Sequence, residues 1–300
     1  MVPSIFGQLL SFACYACQAH GKPRPKHHVD WVTLNFVPFG ERAMEMAVSL
    51  YVQTAQRPIV IQASILHSII KSLHMPLSMK YNCPSPSTWK LAVNSLLAVL
   101  RVGLPIAHAN PANFKNMWPD LAVTLEEFLF SSSNPPPTQS LEEQQCDEIL
   151  DCKVVQLIKE CLLPHSSHIP KEFVLRIVAL LNKGSIHSAT SSTPVDTEST
   201  RKLREEFAKA CFETLLQFSF LGGIVLPEGS VVNRLAVTSL LHRFQEVICH
   251  YVEDEQLSGK CPLPRHRMAE ISFVLKAVAT LIASLKKAPP DNGRCTLLPV

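Results

Sequence analysis

Prolines and polar clusters cut this chain of 300 residues into segments of helical length, and within them the apolar residues recur with a period near 3.6. Leu150, Val154, Leu157, Ile158, Cys161 and Leu162 share one helical face. Leu203, Phe207, Cys211, Leu215 and Phe218 share another, with Arg204, Glu205 and Lys209 off the stripe. Ile271, Val274, Leu275, Val278, Leu281, Ile282 and Leu285 make a third, while Lys276 and Lys286 point elsewhere. A strand would alternate with period two, and no convincing run does so. The pattern predicts helices near 3–19, 40–55, 58–74, 87–102, 112–130, 142–163, 170–183, 201–220, 231–252 and 265–287.

Local signals agree. Ser87 precedes the run to Val102 and is placed to cap it, and Pro58 suits a first helical position, where its missing N–H removes no bond. Gly103 with Pro105, and Gly184, are expected to end helices. Helices of this length joined by short breaks predict an all-α fold, an α-solenoid of HEAT/armadillo-like helix pairs with repeats of about 40 residues. No strong internal repeat is visible, and a compact bundle is the alternative. The expected organisation is a first helical block over 1–183, a flexible Ser/Thr-rich linker over 184–200, a second block over 201–288 and a disordered tail over 289–300. Residues 131–140, with three consecutive prolines, form a second connection. Ser192 and Thr193-Pro194 make the linker a candidate for phosphorylation.

Composition narrows the functional classes. Hydrophobic residues are 47% and charged residues 18%, which demands burial and excludes disorder. Only 10 glycines against 23 prolines argue against phosphate-cradling loops and tight hairpins. A net charge of +3 without dense Lys/Arg stripes does not describe a nucleic-acid groove. Most of the ten cysteines sit in apolar helical patterns, as Cys211 and Cys249 do, and read as free thiols in a reducing compartment. The first nineteen residues carry no charged side chain. They are read as a core helix buried all round, with a signal or membrane anchor as the alternative, although the basic start of a signal is missing and polar residues interrupt the run.

No arrangement of residues calls for catalysis. Cys14 and Cys17 have the spacing of half a zinc knuckle, with His20, His27 and His28 following, but they lie in a helical run and no second pair completes four ligands. His165 and His168 fall in a loop between Pro164 and Pro170. Glu126-Glu127 and Glu142-Glu143 are sequence neighbours whose side chains diverge on a helix, and read as solvated surface. Gly222-Gly223 and Gly229 follow no strand and make no nucleotide loop. The reading therefore names no catalytic, cofactor-binding or metal-ligating residue and no cofactor. Basic residues at Lys22, Arg24, Lys26, His27 and His28, at Lys260, Arg265, His266 and Arg267, and at Lys286-Lys287 would serve solubility or a weak contact with anionic lipid.

Four long strings carry a resemblance. WVTLNFVPFGERAMEMAVSLYVQTAQRP (31–58), KACFETLLQFSF (209–220), LAVTSLLHRFQEV (235–247) and SGKCPLPRHRMAEISFVLKAVATL (258–281) closely resemble the C-terminal region of the Mon-two family, named for monensin sensitivity. The resemblance covers nearly the whole chain to about residue 288. It implies a large cytosolic, HEAT-like helical protein, related to the large exchange factors for Arf GTPases but without their catalytic domain. The implied role is a non-catalytic scaffold of protein transport, peripheral on Golgi and endosomal membranes. The implied partners are a Dopey-type protein, a phospholipid flippase complex and an Arf-like GTPase, with no nucleic acid. The family pattern contributes no catalytic residue here. The chain is much shorter than a full member, and PPDNGRCTLLPV (289–300) stands where further helices are expected, so a fragment with an apolar end face and a tendency to self-associate is the expectation. The competing readings are a membrane-anchored or secreted helical protein using the uncharged N-terminal segment, and a hydrolase or metal enzyme.

Overall fold

The computed structural model describes residues 2–18, 36–185, 204–218, 231–259 and scattered positions between 268 and 283. The expectations for the linker beyond Ser185, for Gly222, Gly223 and Gly229, for all three basic clusters and for the tail lie outside these residues.

Every regular element among the described residues is helical, and the chain divides into two compact units, 1–157 and 158–300. The first unit holds α1 (Val2–Ala13), which tightens into a 3₁₀ turn over Cys14–Cys17, then α2 (Val37–Thr54), α3 (Pro58–Gln62) and α4 (Ile65–Met79). After a 3₁₀ turn over Lys80–Asn82 come α5 (Pro86–Ala109), α6 (Pro111–Phe114), α7 (Met117–Leu129) and α8 (Leu141–Leu157). Successive helices pack as pairs, α1 on α2 and α4 on α5, and α5 also meets α2 and α8. This is the helix-on-helix packing of an α-solenoid of HEAT/armadillo type.

α5 is long and apolar enough by composition to cross a membrane. Here it is a core helix: Trp89, Ala92, Val93, Leu96, Val99, Leu100 and Leu104 are all buried against its neighbours. Each large apolar side chain so enclosed contributes about 1.5–3 kcal/mol relative to exposure.

In the second unit a π turn (Ile158–Leu162) and a 3₁₀ turn (Leu163–His168) lead to α9 (Lys171–Ser185), α10 (Glu205–Phe218) and α11 (Val231–Ser258). These three helices each pack on the other two. Phe207, Cys211, Leu215 and Phe218 are buried, as their period predicts, and Phe212 meets Phe244 of α11 with ring centroids 5.9 Å apart.

Several boundaries differ from the sequence reading, each for a local reason. The helix expected over 58–74 breaks at Ser64, which takes left-handed φ 48° and donates its hydroxyl to the Asn113 carbonyl at 2.7 Å. The helix expected over 112–130 becomes α6 and α7. Ser85, not Ser87, caps α5, its hydroxyl accepting from the Ser87 N–H at 3.3 Å.

Gly103 and Pro105 do not stop α5, which runs on to Ala109. A Cβ at Gly103 would lie 2.6 Å from Leu66 Cδ2 and 2.7 Å from Tyr51 Oη, so any larger residue would have to push these buried side-chain tips aside. Gly184 likewise lies inside α9, where a Cβ would come within 2.8 Å of Cys211 Sγ. The stripe expected near the C-terminus divides: Ile271 and Val274 are buried, while Leu275 and Ile282 are exposed on its flank.

Candidate functional site

α1 is not buried all round. Phe6 and Ala13 point into the unit, whereas Ile5 and Phe12, on the neighbouring face about 100° round the helix, are 46% and 41% exposed. α2 meets this face with Phe39, and Phe36 precedes its first turn; both rings are about half exposed, at 49%. Phe12 and Phe39 stand 5.4 Å apart between ring centroids, Tyr15 and Phe36 5.7 Å, and Tyr15 and Phe39 6.1 Å, all tilted. Tilted rings at these spacings attract one another beyond the area they bury, so the four aromatics hold one patch together.

Gly40 sets that patch. A Cβ there would fall within 2.8 Å of Tyr15 C and 2.9 Å of Ala16 Cα, and closer still to Ala16 N. Backbone cannot move aside as a side-chain tip can, so only glycine lets the Cys14–Cys17 turn lie directly on α2. Tyr15 is thereby delivered to Phe36 and Phe39. One turn beyond Phe39, Arg42 pairs with Glu45 at 2.7 Å and gives the apolar patch a charged rim. An exposed aromatic cluster with a polar rim is the composition of a protein-binding surface.

A second constellation lies under α8, a helix with little apolar character that nonetheless buries Asp147, Glu148 and Asp151. Lys80, itself 4% exposed and at φ 44°, places Nζ 3.1 Å from Asp151 Oδ1. The same ammonium stands 4.6 Å from the ring centre of Phe128 and 5.5 Å from that of Trp89, so aromatic faces complete its solvation. Lys90 Nζ lies 2.8 Å from Asp147 Oδ1, and Gln139 donates to Asp147 Oδ2 at 2.6 Å. These charges neutralise one another across the Lys80–Asn82 turn, α5 and α8. Their chemistry is that of a clamp.

A polar seam joins α4 to α7. His67 meets Asp120 at 2.7 Å, Lys71 approaches the same carboxylate at 3.9 Å, and His74 reaches Thr124 at 3.2 Å and Glu127 at 3.5 Å. Positions i, i+4 and i+7 of one helix thus face i, i+4 and i+7 of the other.

Within each unit the described residues singled out in the sequence do not converge, and His20, His27 and His28 lie outside the described residues. Cys14 is exposed, its thiol donating to the Leu10 carbonyl at 3.5 Å, while Cys17 ends the 3₁₀ turn half-buried. His165 and His168 are exposed in the 3₁₀ turn before α9. Among the described residues no group of three or more His, Cys, Asp or Glu is placed to hold a metal ion. Glu127 joins the α4–α7 seam. Glu143 is more than solvated surface: it accepts from the Ser140 N–H at 2.8 Å while its own N–H donates to Ser140 Oγ at 3.2 Å. That reciprocal pair is a capping box, readable in the spacing Ser-x-x-Glu. Lys80, Lys90 and the α8 carboxylates had no comparable signal, since their partners lie far apart in sequence.

Comparison with known proteins bears on the same chain. The family described as the C-terminal region of Mon2 protein matches residues 1–296. The Protein MON2 homolog of Homo sapiens is 51% identical over 309 residues, covering 97% of this chain and 18% of the relative. That of Drosophila melanogaster is 48% identical over 325 residues, covering 97% of this chain and 19% of the relative. The Monensin-resistant homolog 2 of Caenorhabditis elegans is 36% identical over 296 residues, covering 96% and 18%. No solved structure matches. The chain spans less than a fifth of the length of these curated relatives. With nearly all of its residues aligned to them, the chain belongs to the Mon2 family, in that family's C-terminal region.

Proposed function

We propose that this chain is a non-catalytic scaffold segment in protein transport at Golgi and endosomal membranes, holding partner proteins on exposed faces of its helical stack. Membership in the Mon2 family supports the trafficking role, and the resemblance supplies the expected partners: a Dopey-type protein first, with an Arf-like GTPase or a flippase complex in the same assembly. It also supports a cytosolic protein peripheral on those membranes. The observation that carries the binding role is the patch of Phe12, Tyr15, Phe36 and Phe39, because half-exposed aromatic rings with a charged rim gain most by enclosure against a partner.

The test is affinity capture from cytosol, read by mass spectrometry, with the native chain and a Phe12→Asp/Phe39→Asp variant of unchanged helicity. The native chain should recover the Dopey-type protein, and the variant should recover at least about tenfold less, the loss expected for a truncated interface anchor. Equal recovery would remove the aromatic patch from the interface. Recovery by a full-length relative alone would place the contact outside these residues.

A further inference from the structure

The short loop that enters α5 reads Pro84-Ser85-Pro86, the one Ser-Pro pair in the chain. Its backbone is extended, with φ −62° and ψ 146° at Cys83 and φ −128° and ψ 136° at Ser85, and Pro86 opens the first turn of α5. Pro84, Pro86 and Ser87 are exposed, and Ser85 is half-buried. Ser85 also starts a chain of hydroxyls. Its Oγ lies 2.6 Å from Ser87 Oγ, and Ser87 Oγ and Thr88 Oγ1 each donate to Glu41 Oε1 of α2 at 2.7 Å. A serine hydroxyl has one proton to give. With that of Ser87 given to Glu41, the Ser85 hydroxyl donates to Ser87, and the relay ends on the carboxylate. The start of α5 is thereby latched to α2 through hydrogen bonds that all run one way.

We propose that Ser85 is a phosphorylation site for a proline-directed protein kinase, and that its phosphate opens the latch between α5 and α2. This goes beyond the scaffold reading and does not depend on it.

An extended segment with a partly accessible hydroxyl just ahead of a proline, a residue with no N–H to satisfy, suits the cleft of such a kinase. Ser85 Oγ attacks the γ-phosphorus of ATP, the bond to the β-phosphate oxygen breaks, ADP leaves, and the hydroxyl proton passes to the kinase's base. The product carries about −1.5 to −2 charge and strong acceptor oxygens. It has no proton for Ser87, and it competes with Glu41 for the one that Ser87 holds. Ser85 Oγ and the Glu41 carboxylate are no more than two hydrogen-bond lengths apart, so the two anions repel. The first turn of α5 itself favours an anion at its N-terminus, while Lys90, the next cation along this helix, is held by Asp147. The helix start is therefore kept, and its contact with α2 is what weakens.

The test uses the whole folded chain, incubated with a mitogen-activated protein kinase and ATP and mapped by peptide mass spectrometry. Phosphate should appear on Ser85, and Ser85→Ala should remove it without affecting Thr193, the acceptor of the chain's Thr-Pro pair. Pro86→Ala should lower modification of Ser85 about tenfold or more, since the proline carries the recognition. Hydrogen exchange should find the amides from Glu41 to Met44 opening about tenfold faster in the phosphorylated chain. Glu41→Gln, which keeps an acceptor for Ser87 and Thr88 but not the charge, should lose most of that change. No phosphate on Ser85 of the folded chain, whether or not Thr193 is labelled, would overturn the site. Phosphorylation of Ser85 with exchange in α2 unaltered would overturn the latch.

Discussion

Lys80 shows what one residue does in a helical stack. A lysine at a helix end normally extends into water, yet this one is buried at φ 44°, between Asp151 and three aromatic rings. Burying both charges costs desolvation that their attraction and hydrogen bonding offset, so the pair fixes where α8 sits more than it adds net stability. Lys80→Ala should therefore lower unfolding free energy by about 3–5 kcal/mol, because the buried Asp151 carboxylate loses its cation. The double substitution Lys80→Met/Asp151→Leu, which removes both charges and fills the space, should recover most of that loss. Urea denaturation of the three proteins decides it. If the single and double variants were equally unstable, the pair would be acting through packing alone.

At the scale of the element, α8 has a strong start and few apolar residues to hold it. Its first turn rests on the Ser140–Glu143 capping box. Ser140→Ala should cost about 1 kcal/mol, read from the shift of the denaturation midpoint. The backbone hydrogen bond from Ser140, reinforced by its hydroxyl, holds the Glu143 carboxyl below the usual range, while the slight desolvation works against it. A depressed folded pKa means the unfolded chain takes up the proton first as pH falls. The contribution of Glu143 is thus fully present above the ordinary glutamate pKa of about 4.3 and is lost as pH drops through the folded value. Glu143→Gln should flatten stability between neutral pH and pH 3 relative to the native chain, and an unchanged profile would show that the box does not bear on folding.

For the whole molecule, packing between helices near in sequence spreads stability unevenly within each unit. In the first unit α5 is enclosed by α2, α4 and α8, whereas α3 and α6 are single turns that bury one side chain each, Val60 and Phe114. Hydrogen exchange followed by mass spectrometry should find the amides from Trp89 to Leu100 the slowest of this unit, opening only on global unfolding. Those of α3 and α6 should exchange several orders of magnitude faster, with α1 between. Uniform protection across these helices would instead mean that the unit opens only all at once.

The sequence by itself determined the helical class and the inward faces of α8 and α10, because an apolar stripe of 3.6-residue period is buried on one side of a helix. Leu150 with Val154 and Phe207 with Cys211 lie where that period puts them. It also contained the capping box of α8, a signal local enough to read from four residues. What it could not determine were properties that exist only between segments. Gly103 and Gly184 look like helix ends in one dimension and are close approaches in three. Asp147 and Asp151 carry no sequence signal of burial, because Lys90 and Lys80, which pair with them, come from other helical segments. The apolar face of α1 is ambiguous for the same reason, since core and interface ask for identical side chains. Only packing, which buried Phe6 and left Phe12 beside Phe39 at the surface, decided between them.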